Sequence, residues 1–236
     1  MPLRNNGYCC AYWGNYDEAS FRERAHEADF IVGINAAEDL LRHSVENMKA
    51  DYGDKFVMIP MIWLNGLTSF EMFSINGQNT FFGEADLVEA AKATSFEDMT
   101  KRFFRGELQT DTQARLDESL RVLAASEQDT IKISDFIAEN YQNFPVAFAV
   151  AHPAPPVIAE LFVRLVAKLD LGAYYDHDLD AYQIGRLALP LGNRAFTPYD
   201  VETLGLKYPF DLDWVVNAKN LMMLLEKQMK RAVQDA

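Results

Sequence analysis

The chain has two cysteines, Cys9 and Cys10, and they are adjacent. Neighbouring cysteines are poorly placed to bridge one another, so a disulfide framework is excluded. Two cysteines and four scattered histidines also give none of the CxxC or HExxH spacings of a zinc site. Basic residues are scarce: 22 Lys and Arg stand against 35 Asp and Glu, for a net charge of −13. That balance disfavours nucleic-acid backbones and anionic membrane surfaces as partners, and a bound anion would need a local basic pocket. No uncharged apolar run is long enough to cross a bilayer, and the opening MPLRNNGYCCAYW lacks the apolar stretch of a secretory leader. A cytoplasmic protein without membrane insertion is therefore expected. Fixed-period repeats, low-complexity segments and a GxSxG elbow are missing too, which leaves an esterase with a Ser-His-acid set unsupported.

Apolar residues are plentiful at 49% of 236, enough for a buried core. One domain over 1–236 is expected, because proline and glycine are scattered rather than gathered into a linker. Three apolar, β-rich runs read as buried strands: Phe30 to Ile34, Phe56 to Leu64 and Val146 to Ala151, with a fourth candidate at Gln183 to Leu189. Helical patterns at Asp17 to Ala28 and Ala36 to Asp51 lie among them, the second with Leu40, Leu41, Val45 and Met48 at helical spacing. Strand, helix, strand with continuous apolar strands predicts an α/β fold: a small, mainly parallel sheet with helices on both faces. A helix-rich insertion over residues 84–143 follows, read as Ala85 to Ala93, Phe96 to Phe104, Asp111 to Ser126, and Asp135 to Tyr141 capped by Ser134. Pro155 and Pro156 open a further helix with a broad apolar face, and a last one is expected around Trp214 to Val233.

Several groups carry chemistry in principle. His152 follows a run that reads as a central strand, and ligands of open α/β sheets gather beyond the carboxyl ends of strands, where a histidine serves as general base. In IPMIWLNGLTSF, Trp63, Asn65 and Gly66 stand at a second strand end, followed by the hydroxyls of Thr68 and Ser69; an aromatic and an amide there could floor a sugar or nucleotide pocket, or form a buried turn. Asp176, His177, Asp178 and Asp180 offer oxygen and imidazole, but their spacing fits no known metal loop and reads as a solvated acidic connection. Lys101, Arg102 and Arg105 are the densest basic group and read as the solvated face of a helix whose Phe103 and Phe104 turn inward. No base near Cys9 or Cys10 in sequence would activate a thiol.

The stretch from Ser119 to Asp170, with ISDFI and with FAVAHPAPPV running into a long apolar helix, resembles the C-terminal signature of the WcbI-type capsular polysaccharide biosynthesis family. EADFIVGIN and IPMIWLNG are similar to that family's earlier strand ends, and LALPLGNRAFTPYDVETLGLKY is similar to its tail. The resemblance implies an α/β protein binding coenzyme A or acetyl-CoA and transferring an acetyl group to a sugar hydroxyl, so a carbohydrate or polysaccharide precursor is the implied partner. It also implies roles. His152 stands at the His of the family's Asn-His-Pro and would be the general base. Glu127 stands at the Glu of its Arg-Glu pair, and with Trp63, Asn65 and Gly66 would contribute to the cofactor site.

Three departures accompany the resemblance. Ser126 stands where the family has Arg, and Ala151 where it has Asn, removing a cation and an amide from the site. The family's opening strand ending Gly-Asn-Cys-Gln has no counterpart, so the chain is expected to begin after it. The neighbouring strand edge would then be covered by NGYCCAYW or by another chain, as in a homo-oligomer. Two expectations follow: an O-acyltransferase of polysaccharide biosynthesis, or a non-catalytic binding or scaffold homologue that keeps the fold.

Overall fold

The computed structural model describes residues 18–35, 45–75, 78–82, 84–128, 130–171, 194–208, 219–220, 222–227 and 230. Helix α1 (Glu18–Glu27) leads into strand β1 (Ile31–Asn35), and helix α2 (Val45–Tyr52) with a 3-10 turn (Gly53–Lys55) leads into β2 (Phe56–Pro60). Lys55 Nζ donates to the carbonyls of His26 and Ala28 at 3.3 and 3.1 Å, placing a cation at the negative end of α1. β1 and β2 pair in parallel, Ile31 opposite Phe56 and Asn35 opposite Pro60, the α/β arrangement expected from the two apolar runs. β2 stops at Pro60 rather than at Leu64, since proline brings no N–H to continue a ladder. Among the described residues β1 has β2 as its only strand neighbour, and Phe30, Val32 and Ile34 are exposed on one of its faces. The sequence offered to cover that edge, NGYCCAYW, lies outside the described residues.

The remaining ladders are antiparallel. β3 (Phe70–Ile75) forms a hairpin with β4 (Gln78–Phe82) and pairs on its other edge with β7 (Arg194–Ala195). None of these three strands is among those the apolar runs predict. β5 (Ala147–Ala149) turns through Val150 and Ala151 into β6 (His152–Pro153), with Ala149 opposite His152. The expected strand Val146 to Ala151 is thus shorter and ends in a tight return. The candidate strand Gln183 to Leu189 lies outside the described residues, and of the expected last helix residues 219–220, 222–227 and 230 are described, all helical.

The middle of the chain is helical as the periodicity predicts: α3 (Glu84–Ala93), α4 (Phe96–Phe104), α5 (Thr112–Ser126) and α6 (Ser134–Asn140). α4 starts where Ser95 Oγ accepts from the Asp98 N–H at 3.1 Å, and it buries Met99 and Phe103. α7 (Pro155–Lys168) carries both prolines in its first turn, where the missing N–H is no loss. α8 (Pro198–Leu204) has a capping box between Thr197 and Asp200 and closes on Gly205 at φ 63°.

Two apolar cores result. The first joins Val57 and Leu64 to Leu116 and Leu123 of α5, Ile137 of α6, Val157 and Leu161 of α7, and Leu204 of α8. The second joins Phe70 to Leu87 of α3, Met99 and Phe103 of α4, Leu108, and Met222 and Leu225. Among the described residues no helix is long and apolar enough to cross a membrane.

Candidate functional site

Beyond Pro60 the chain leaves the carboxyl end of the parallel pair and runs through Met61 to Ser69 before β3 begins. Two anchors hold this loop. The Leu64 N–H donates to the Val150 carbonyl at 2.8 Å, tying it to the β5–β6 turn. That bond places Trp63 and Asn65 on either side of Leu64 and His152 two residues past Val150. The second anchor is α5. The Asn65 N–H donates to Ser119 Oγ at 3.3 Å, and the Ser119 hydroxyl lies 3.1 Å from both the carbonyl and the Oδ1 of Asn65.

Gly66 makes the close approach to α5 feasible. Its φ is +85°, and a Cβ there would lie 2.4 Å from the Leu116 nitrogen and 2.7 Å from the Arg115 carbonyl carbon. Those are backbone atoms that cannot step aside. The Gly66 N–H donates to Oε1 of Glu71, which is fully buried. Arg115 supports the loop from the same helix: its Nη2 donates to the carbonyls of Thr68 and Ser69 at 2.9 and 3.0 Å, and its Nε lies 2.7 Å from Asp111.

The residues singled out from the sequence fall into two groups. Trp63, Asn65, Gly66 and His152 belong to the two joined segments; Trp63 and Asn65 are half-buried, Gly66 is buried, and His152 is exposed. Glu127 lies at the far end of α5, eight residues beyond Ser119 and so about 12 Å along the helix axis. Its carboxylate is buried and accepts three hydrogen bonds: from the Ile133 and Ser134 N–H groups on Oε1, at 2.7 and 2.9 Å, and from the Ser134 hydroxyl on Oε2 at 2.5 Å. Glu127 therefore caps α6, in place of the Ser134 side chain expected there. The neighbouring Ser126 hydroxyl donates back to the Leu123 carbonyl at 2.7 Å. Among the described residues no three His, Cys, Asp or Glu side chains gather to hold a metal; Asp176 to Asp180 are not among them.

A second polar cluster, which the sequence reading passed over, lies behind the loop. Asp200 is fully buried. Its Oδ1 accepts from Ser69 Oγ at 2.5 Å and from Thr112 Oγ1 at 3.4 Å, and its Oδ2 from the N–H and hydroxyl of Thr197 at 2.7 and 3.0 Å. Thr110 donates to Ser69 at 3.0 Å and lies 2.6 Å from Thr112. Burial pushes the Asp200 carboxyl up to about 6, against the opposing pull of its bonds from Ser69 and Thr197. One sequence signal for it exists: Thr197-Pro198-Tyr199-Asp200 reads as a capping box with proline in the first turn.

No protein-family model and no curated protein sequence matches the chain. Among solved structures it is similar to WcbI, described as a polysaccharide biosynthesis enzyme, in a native form without a disulfide bond between coenzyme A and a cysteine. The similarity has a TM-score of 0.52 at 15% sequence identity and covers 70% of this chain and 61% of that one. The two therefore share a fold, and the likeness spans less than two thirds of that enzyme's length.

Proposed function

We propose that the protein is a coenzyme A-binding, O-acyltransferase-like member of polysaccharide biosynthesis that carries an acetyl group to a sugar hydroxyl. The observation that carries the proposal is the joining of the loop Trp63 to Gly66 to the His152 turn through Leu64 and Val150, in a fold shared with a polysaccharide biosynthesis enzyme. The half-buried indole of Trp63 and the Asn65 amide suit the apolar, amide-bearing arm of coenzyme A. Its phosphates are less well served there: Arg115 is committed to two carbonyls and to Asp111, and its Nη1 is buried without a hydrogen-bond partner among the described residues.

When bound, acetyl-CoA would supply an activated acyl group. The chain's own part is the proton. The exposed His152 imidazole accepts it from an acceptor hydroxyl brought within about 3 Å; as the hydroxyl oxygen bonds to the acyl carbon the carbon–sulfur bond would break, and His152 returns the proton to the departing thiolate, while Ser119 and Gly66 hold the Trp63 loop on α5. Replacing His152 by Ala should then lower acetyl transfer by about 10²- to 10⁴-fold. Transfer at the wild-type rate would remove His152 from the mechanism.

A second reading, a non-catalytic homologue that keeps the fold and binds a carbohydrate or another chain, is favoured by one arrangement. Glu127 and Ser126 are both turned to helix ends, and Ala151 beside His152 brings no side-chain amide. Binding of coenzyme A without any transfer would favour it.

A further inference from the structure

Among the described residues three buried acids, Glu71, Glu127 and Asp200, take no part in that chemistry, and Asp200 differs from the other two because its partners mark the junction of the two cores. Leu67 belongs to the first core and Phe70 to the second, with Ser69 between them. Leu108 belongs to the second and Leu116 to the first, with Thr110 and Thr112 between them. α8 sends Leu204 into the first core, while Gly106, just past Phe103, meets the start of α8 so closely that a Cβ would lie 2.7 Å from the Tyr199 nitrogen. Tyr199 in turn donates its hydroxyl to the Thr110 carbonyl at 3.0 Å. The polar cluster is a seam between two apolar masses.

We propose that Asp200 and the hydroxyls of Ser69, Thr110 and Thr112 form a proton-responsive clasp across this seam. Oδ2 accepts the Thr197 N–H, which cannot turn away, whereas both donors on Oδ1, Ser69 and Thr112, are hydroxyls that can rotate, so an added proton goes to Oδ1. With Asp200 ionised, Thr110 donates to Ser69 and Ser69 donates to Oδ1. With Asp200 protonated the direction reverses: Oδ1–H donates to Ser69, Ser69 to Thr110, and Thr110 to Thr112. Each state pairs Ser69 and Oδ1, so the contacts persist and only the cost of holding a buried charge changes.

The charged groups on the surrounding elements do not cancel that cost. Glu71 on β3 faces the Gly66 N–H, Arg115 on α5 is held by two carbonyls and Asp111, Arg105 and Glu107 pair with each other before Thr110, and Glu202 on α8 is exposed. The Asp200 carboxyl lies at about 6 in the fold against an ordinary 3.8. A carboxyl raised on folding gives stability that is present in full below its unfolded value and is lost as pH rises through its folded value. The contribution is therefore full below 3.8 and lost by about 6, so the seam keeps its contacts but is less stable at neutral pH than in acid.

The test is thermal unfolding of the full chain from pH 4 to pH 8 for the wild type, Asp200→Asn and Ser69→Ala. The folding constant of the wild type, relative to Asp200→Asn, should fall about a hundredfold across that range. Ser69→Ala keeps the acid but removes a bond that is stronger to its ionised form than to its protonated one, so the upper midpoint should move to higher pH. Parallel profiles for wild type and Asp200→Asn would overturn the proposal, as would an unmoved midpoint in Ser69→Ala. If Asp200→Asn does not fold, the side-chain carboxyl resonance of Asp200 decides: a midpoint near 6 in the wild type, higher in Ser69→Ala, supports the clasp, and one at or below 4 overturns it.

Discussion

Glu127 and Ser134 meet carboxylate to hydroxyl at 2.5 Å, and the same carboxylate takes the N–H groups of Ile133 and Ser134. A negative group thus sits on the open N–H groups of a helix start, where the helix dipole favours it. Glu127→Ala would leave those three donors without their acceptor and should cost about 3 kcal/mol in urea unfolding. Glu127→Gln, with one acceptor oxygen kept, should cost less. In either variant the affinity for coenzyme A, measured where the protein is folded, should change little if the residue's work is to hold α6.

Gly66 and Gly53 both have positive φ, and they separate two kinds of cost. Gly53 has nothing within 4 Å of where a Cβ would sit, whereas at Gly66 the backbone of α5 occupies the place. Gly53→Ala should therefore show only the left-handed backbone penalty, about 1 kcal/mol. Gly66→Ala adds overpacking to that penalty and should cost about 2 to 4 kcal/mol. Equal midpoints for the two variants in denaturant would contradict the close packing of the loop on α5.

Ser119 is buried and its hydroxyl is spent on Asn65. Ser119→Ala should cost about 1 kcal/mol of stability. It should also weaken coenzyme A binding, because the Asn65 amide loses the contact that orients it. Ser119→Thr, which restores a hydroxyl, is the control: recovery of binding without full recovery of stability would mark positioning rather than packing.

How much of this was legible in the sequence depended on how local each signal was. Phe96 to Phe104 is a helix with the bounds read from its periodicity, and Pro155-Pro156 marks the start of α7, because cap, proline and apolar stripe all lie within a few residues. The β3–β4 hairpin is not among the long apolar runs, although Asn76-Gly77, a favoured hairpin pair, separates its two strands in sequence, because its strands FEMFSI and QNTFF mix polar and apolar residues. Ser134 reads as a local N-cap, yet the capping acid is Glu127, seven residues upstream. His152 reads from the sequence as the residue just past a strand and stands instead on the return strand of a short hairpin. Asp200 and Ser69 are 131 residues apart, and no local pattern joins them.

The central claim, a coenzyme A site between the Trp63 loop and the His152 turn, is tested most directly by thermal unfolding of the full chain in rising acetyl-CoA. At about 100 times the Kd, binding should stabilise the fold by about 2.7 kcal/mol, a shift of several degrees. The shift should persist in His152→Ala and shrink in Ser119→Ala. An unfolding temperature that stays constant up to millimolar acetyl-CoA and coenzyme A would contradict the claim.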